Sequence, residues 1–374
     1  MSFKNLVSGK KLPVIFIGSG LSRRYLDSPD WDNLLIKTLQ FIGKNERDFK
    51  RLKSRIKNKP ENRNLINGEI NAKVAAEIEN EFNEFFYESD LIEKYPDWLD
   101  EGVNPFRKCI ATILQGLNVM KEKEEEVSLF KALKNKTIAA ITTNYDTLLE
   151  QLFNLPKESI FIGQPQLFNP NSLDLGELYK IHGCVTDPNN IVITEHDYKN
   201  FKNNAKLFTA KLLTLISENP VIFIGYSIDD PNMQQILSDL VSCLSSEQIK
   251  SLINHFYFVE YNEGEENLIE KEYLFEAKSY DGKLSVFPIS IISTDNYAEV
   301  YKELAKLTPT MNINTVKQVK RIVKDIVLES TEAQSGNEEV LTILLEDINK
   351  LSETKQKFAI AIGNVKEITS IAPK

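Results

Sequence analysis

The chain is poor in the residues from which metal sites and disulfide frameworks are made. It has three cysteines and three histidines in 374 residues. Cys109, Cys184 and Cys243 stand far apart and form no CxxC pair, so no disulfide framework is expected. A structural zinc site takes about four ligands, and no zinc is expected either. So few cysteines suit a reducing, cytoplasmic setting. No segment approaches the about 20 apolar residues of a membrane helix, and "MSFKNLVSGKKLP" lacks the apolar centre of a secretory signal. A soluble chain with no membrane partner is expected. Positive charge is not in excess: 45 Lys and Arg stand against 54 Asp and Glu, a net charge of −9. That excludes broad nucleic-acid binding driven by neutralised phosphates. One local basic stretch, "RDFKRLKSRIKNK" at 47–59, is a candidate DNA contact. Its intermixed Asp48 and Asn58 favour a solvated helix face.

What is present is an ordinary globular composition, 42% hydrophobic and 26% charged. The length suits one large domain with additions, or two domains. Short runs rich in Val, Ile and Phe mark strands at Val14–Gly18, Ile138–Thr142, Ser159–Ile162, Leu178–Ile181, Ile191–Ile193, Val221–Gly225, Phe256–Glu260 and Val286–Ile292. Helical patterns such as Trp31–Phe41 and Phe201–Ser217 lie between them. Near-continuous apolar strands alternating with helices predict an α/β fold, a Rossmann-like, doubly wound and mostly parallel sheet. Residues of about 44–134 hold no strand pattern, but Ile70–Tyr87 and Phe106–Met120 have helical spacing, so a helical insertion is expected there. From about residue 310 the pattern is again that of amphipathic helices. The expected division is 1–305 with the insertion, then a C-terminal helical segment, 306–374, for oligomer or partner contacts.

Four motifs fall at strand ends. "VIFIGSGLS" runs a strand into Gly18, Ser19 and Gly20, with Ser22 one turn on. Glycines there let backbone approach a phosphate, and the following helix N-terminus offers free N–H groups. "IAAITTNYDTLLE" crowds Thr142, Thr143, Asn144 and Asp146 at one strand end. Helix capping explains one such residue but not the cluster. "LYKIHGCV" sets His182 before Gly183. "NPVIFIGYSIDDPNM" repeats the first pattern with Gly225 and Ser227, followed by Asp229 and Asp230, which are placed to accept from ribose hydroxyls or to cap a helix. A dinucleotide fingerprint would carry a third glycine at position 23, where this chain has Arg23, and an acidic residue about 20 residues on. A dehydrogenase is therefore disfavoured.

Taken in order, "GSGLS" (18–22), "TTNYD" (142–146), "IHG" (181–183) and "GYSIDD" (225–230) resemble the sirtuin fold, specifically the bacterial sirtuin-like proteins of antiphage defence. The resemblance spans about residues 12–300. It implies that NAD+ is the substrate. Gly18, Ser19, Gly20 and Ser22 would hold its pyrophosphate, Asn144 and Asp146 would line the nicotinamide-ribose pocket, and Thr143 would be a further cofactor contact. Gly225, Ser227 and Asp230 would lie on the adenosine side. Asn144, His182 and Asp146 are the implied catalytic residues: Asn144 orients water and ribose, and His182 accepts a proton. Asp146 binds nicotinamide or stabilises the developing cation, and the residues alone do not choose. The zinc module and the "GIPDFR" stretch of protein-deacylating sirtuins are missing, with "DSPDWDNLL" at 27–35 in place of the latter. Hydrolysis of NAD+ to nicotinamide and ADP-ribose is therefore favoured over protein deacylation or a silent scaffold. Arg23 and Arg24 either contact phosphates, gate the pocket or face solvent. A homo-oligomer and a HerA-type hexameric ATPase partner are implied by the resemblance only.

Overall fold

The computed structural model describes residues 3–308, except residues 10, 101, 167–171, 173, 174, 229, 230 and 280, together with Val316 and Lys320. The chain divides into two units, Met1–Thr308 and Pro309–Lys374. The amphipathic helices expected beyond residue 310 lie outside the described residues.

The first unit is built on one eight-stranded sheet. Its strands are β1 (Val14–Ile17), β2 (Ala139–Thr142), β3 (Ile160–Ile162), β4 (Glu177–Lys180), β5 (Val221–Ile224), β6 (Phe256–Tyr261), β7 (Ile269–Lys278) and β8 (Leu284–Thr294). They lie in the order β3-β4-β2-β1-β5-β6-β8-β7. Every neighbouring pair is parallel except β7 and β8. The expected Rossmann-like, mostly parallel sheet is the observed one. Its apolar runs are continuous because both faces are covered. In β1, Val14 and Phe16 enter one core with Phe223 and Phe258, while Ile15 and Ile17 enter the other with Ile222 and Val259. Strands buried on both faces need apolar side chains at every position, not at alternate ones.

One reading is corrected, and one strand lies where none was expected. Ile191–Ile193 is not a strand. Its backbone groups go elsewhere: Val192 N–H donates to the His182 carbonyl at 2.9 Å, and the Val192 carbonyl accepts from Tyr145 Oη at 2.6 Å. Strand β7 has no strand signal in its sequence, "IEKEYLFEAK". It is an edge strand with a single neighbour, and most of its residues are exposed, so charges replace the apolar run.

The described residues between β1 and β2 contain helices and no strand, as the helical insertion requires. The helices used below are α1 (Ser19–Leu26), α2 (Trp31–Phe41), α3 (Glu46–Lys57), α4 (Asn67–Glu88), α5 (Pro105–Gln115) and α6 (Glu124–Lys131). Helix α5 stops ahead of Gly116, short of the expected Met120. Leu35, Leu39, Phe49, Val74, Ile78, Phe82 and Ile110 form a separate core for this layer, which also takes up Cys184, Ile191 and Ile193. The basic stretch forms α3, and its cations meet the chain's own carboxylates: Lys50 with Glu46 at 2.6 Å, Lys53 with Asp32 at 2.6 Å, and Arg51 and Arg55 more loosely.

The insertion is clamped to the sheet by Arg107 on α5. Its Nε donates to Glu79 of α4 at 2.9 Å, and its Nη2 meets both oxygens of Asp197 at 3.0 and 2.9 Å. Asp197 opens the long helix Glu195–Glu218. The Arg107 Nη1 donates to the Ile191 carbonyl. The segment that looked like a strand is therefore gripped between the insertion and Tyr145.

The turns after β1 and β5 touch backbone to backbone. Gly20 N–H donates to the Gly225 carbonyl at 2.9 Å. A Cβ at Gly18 would lie 2.5 Å from that carbonyl oxygen, and one at Gly225 would lie 2.6 Å from the Leu21 nitrogen. Gly225 also has φ of +79°. Substituting Gly225→Ala is expected to cost about 2–4 kcal/mol, from left-handed strain plus collision with backbone. Gly264→Ala, at φ +75° with nothing within 4 Å, isolates the strain alone, about 1 kcal/mol. Urea unfolding of both variants measures the difference, and equal costs would refute the steric part.

Candidate functional site

The register of the sheet levels four strand ends. Ile17 of β1 pairs with Thr142 of β2 and with Ile224 of β5, and Thr142 pairs with Lys180 of β4. The next residues are Gly18, Thr143, Gly225 and Ile181. All four motifs therefore leave the sheet from one row, at the carboxyl ends of adjacent parallel strands. The chain moves from β1 to one side, through β2 to β4, and returns to β5 on the other side. Ligand sites in open α/β sheets lie at such a reversal.

At the centre is Asn144. Its Nδ2 donates to the Gly18 carbonyl at 3.0 Å and to Ser22 Oγ at 2.8 Å. Ser22 Oγ in turn donates to Asp146 Oδ2 at 2.6 Å. The direction of this relay is fixed by chemistry. A carbonyl and a carboxylate only accept, so Ser22 spends its one proton on Asp146 and must accept from Asn144. The amide nitrogen is thereby turned toward Gly18, and Oδ1 is left on the other side. Oδ1 is buried and has no hydrogen-bond partner. A buried acceptor without a partner is costly. A ribose hydroxyl or a water would supply the missing donor, so the residues present fit a sugar-bearing ligand.

Asp146 is committed within the protein. Its Oδ2 takes the Ser22 proton, and Oδ1 accepts from Leu148 N–H at 3.0 Å, capping the helix Leu148–Phe153. The geometry gives it a holding role, one residue removed from the free amide oxygen. Thr143 Oγ1 lies 2.8 Å from the Tyr226 hydroxyl and ties the second motif to the fourth. Tyr226 packs edge-on against Phe16 at 5.8 Å. Gly18, Gly20 and Gly225 spend their close approach on each other. Ser19 and Ser227 are exposed at the same row of strand ends. Asp230 lies outside the described residues.

His182 is half-buried, and its ring stands edge-on to Tyr198 at 5.5 Å and to Phe201 at 5.0 Å. Burial disfavours the imidazolium and pulls the pKa down from 6.5 to about 4. The ring is therefore neutral at physiological pH and offers a lone pair. The loop around it is bound to the second motif: Val185 N–H donates to the Tyr145 carbonyl at 2.9 Å, and Tyr145 Oη reaches Val192, which is bonded to the His182 carbonyl.

Sequence reasoning missed Tyr145, Tyr226 and Lys180. Of these only Lys180 carried a signal, a charge at the carboxyl end of a buried strand. Its side chain is 1% exposed, and Nζ donates to Glu150 Oε1 at 2.7 Å and to the Asp146 carbonyl. Burial lowers the lysine pKa, but Glu150, Cys184 and Asp146 together hold it above the ordinary value, so it stays charged.

The two arginines separate. Arg24 turns away from the four motifs: it bonds Glu126 of α6 at 2.5 Å and Asp295, just after β8, at 2.8 Å, and lies 4.2 Å over the Tyr297 ring. Arg23 is exposed and borders a cavity of about 540 Å³ along the loop between α1 and α2, shared with Asp27, Ser28, Asp30 and Lys37. None of Asn144, His182 or Ser227 lines that cavity. Among the described residues no group of three His, Cys, Asp or Glu is placed to hold a metal ion, and no helix is long and apolar enough to cross a membrane.

Comparison with known proteins points to the same fold family. Residues 138–280 match the SIR2-like domain family. The chain is 29% identical over 174 residues to the NAD(+) hydrolase ThsA of Enterococcus faecium, which covers 42% of this chain and 35% of that protein. It is 24% identical over 180 residues to NAD(+) hydrolase ThsA of Bacillus cereus, covering 47% of this chain and 37% of the relative. Defense-associated sirtuin 2 of Bacillus subtilis is 28% identical over 111 residues, 29% of this chain and 11% of the relative. The matched region thus spans only about a third of the length of the ThsA proteins. Three of the four strand-end motifs, at 142–146, 181–183 and 225–230, lie within the region that matches the SIR2-like domain family.

Proposed function

We propose that this chain is an NAD+ glycohydrolase that releases nicotinamide and ADP-ribose, and that it acts in antiphage defence by depleting NAD+. One observation carries the reading: the Asn144 amide is locked by Gly18 and Ser22 so that its buried Oδ1 is the acceptor left over at the strand ends. The relatives named NAD(+) hydrolase ThsA support the same substrate.

The chemistry asks for holding and charge placement more than for proton donation. When the nicotinamide–ribose bond breaks, its electron pair leaves with nicotinamide, which departs as a neutral base. The positive charge passes to the ribose as oxocarbenium character. Water then adds at that carbon and loses one proton, which balances the reaction. Asn144 Oδ1 accepts from a ribose hydroxyl or from the attacking water and so fixes its lone pair toward the sugar. His182, neutral and desolvated, accepts the proton or a ribose hydroxyl hydrogen bond. Asp146 and Ser22 keep the amide from rotating. Ser19 and Ser227, exposed at the same row, are the proposed contacts to phosphate and to the adenosine side. A HerA-type hexameric ATPase partner, a homo-oligomeric state and a cytoplasmic location belong to this proposal on family resemblance, and nicotinamide release with and without such an ATPase checks the first.

Two outcomes are expected. Asn144→Asp removes both amide donors, and Asn144→Ala removes the whole group. Either is expected to lower nicotinamide release by about 100-fold or more without loss of the folded state, read by chromatography of the products and by circular dichroism. If the parent chain instead transfers an acetyl group from a lysine peptide to ADP-ribose, the deacylase reading replaces this one. NAD+ bound but never cleaved would favour a scaffold.

The second outcome concerns pH. A base with a pKa near 6.5 would lose activity as pH falls below 6.5. His182 is held down to about 4, so the acid limb of kcat/KM that it sets is expected near pH 4. The same shift has a stability consequence. The unfolded chain takes up a proton at this residue between pH 6.5 and 4 while the folded chain does not, so stability falls as pH drops through that window. His182→Phe removes this part of the acid destabilisation, and denaturant midpoints at pH 7 and pH 4.5 measure it.

A further inference from the structure

Beneath the Asn144 turn lies a buried ion pair to which the proposed reaction assigns no part. Lys180 is the last residue of β4, with its side chain 1% exposed, and Glu150 sits on the helix that Asp146 caps. We infer that Lys180 is a positioning residue for Asn144, acting through the main-chain carbonyl of Asp146. The inference rests on the proposed NAD+ cleavage at Asn144.

The geometry gives Asp146 two anchors. Its carboxylate is held by Ser22, the same hydroxyl that receives the Asn144 amide. Its carbonyl is held by Lys180 Nζ. Asn144 lies two residues before Asp146, so the two anchors together fix the peptide planes that carry its side chain. A charged donor that is itself held by Glu150 sets that carbonyl more firmly than a neutral donor would.

Stability does not account for the pair. Exchanging a buried ion pair for apolar residues of similar volume is often neutral or stabilising, because the cost of stripping water from two charges is then no longer incurred. Here the cost of burial is raised further. Glu150 Oε2 is buried with no partner, and Cys184 Sγ approaches only Oε1, at 3.8 Å. A buried charge kept in an arrangement that leaves one oxygen unpaired has to be explained by what it holds. What it holds is the Asp146 carbonyl.

The test is the double variant Lys180→Met/Glu150→Leu of the full chain, which removes both charges and leaves no unpaired one. Its melting temperature is expected to equal or exceed that of the parent. Its KM for NAD+ is expected to stay within about threefold while kcat falls by about tenfold or more, as a displaced positioning group predicts. A folded double variant with parental kcat overturns the inference, and so does one that melts well below the parent, since the pair would then be a stability element. If the parent chain releases no nicotinamide, the proposed function fails and this inference fails with it. Loss of turnover confined to the variant separates the two.

Discussion

Everything at the candidate site depends on four parallel strands ending at the same height. Ile17, Thr142, Lys180 and Ile224 form one row, and each hands the chain to a turn on the same side of the sheet. The row is closed by the backbone contact of Gly18 and Gly20 with Gly225. That contact joins segments more than 200 residues apart without any side chain. If β1 and β5 were separated by the width of one methyl group, the first and fourth motifs would no longer face each other. The glycines that suggest a phosphate loop therefore do a prior job: they let two turns share one space.

From that frame the polar groups follow by elimination. Asp146 can only accept, the Gly18 carbonyl can only accept, and one serine proton lies between them. The amide of Asn144 has a single orientation that satisfies all three. The same logic distinguishes the two buried titratable side chains near the turn. His182 packs against Tyr198 and Phe201, burial disfavours its charged form, and it is neutral. Lys180 has a carboxylate and a carbonyl within reach, and it stays charged at equal or greater burial. The helical insertion shares in this arrangement. Arg107 grips residues 189–191, and Val192 beside them bonds Tyr145 and His182.

Much of the fold was legible because buried strands cannot avoid showing themselves. Both faces of β1, β2, β5 and β6 enter cores, so the sequence there is almost wholly apolar, with Thr142 and Glu260 falling at the strand ends. Strand β7 was invisible for the opposite reason: it sits at the sheet edge, pairs with one neighbour and shows most of its residues to water. Ile191–Ile193 misled because the same apolar code serves a buried loop. Ile191 and Ile193 fill the insertion core, while the backbone between them is satisfied by Arg107, Tyr145 and His182 in place of a neighbouring strand. Local pattern reports burial, and only the partner decides whether buried extended chain is a strand.

For this protein, the sequence by itself determined the class of fold, the helical nature of the insertion and the four strand-end motifs. Those follow from local burial and from residue types that turns require. Tertiary structure alone decided how the motif residues divide their work. It bonded Asp146 to Ser22, left Asn144 Oδ1 unpaired, drew Arg24 into a cluster with Glu126 and Asp295, and brought Lys180 beneath the turn. Hydrogen-bond direction and charge depend on which partner lies within about 3 Å, and no local spacing encodes partners that lie from 30 to 271 residues away along the chain.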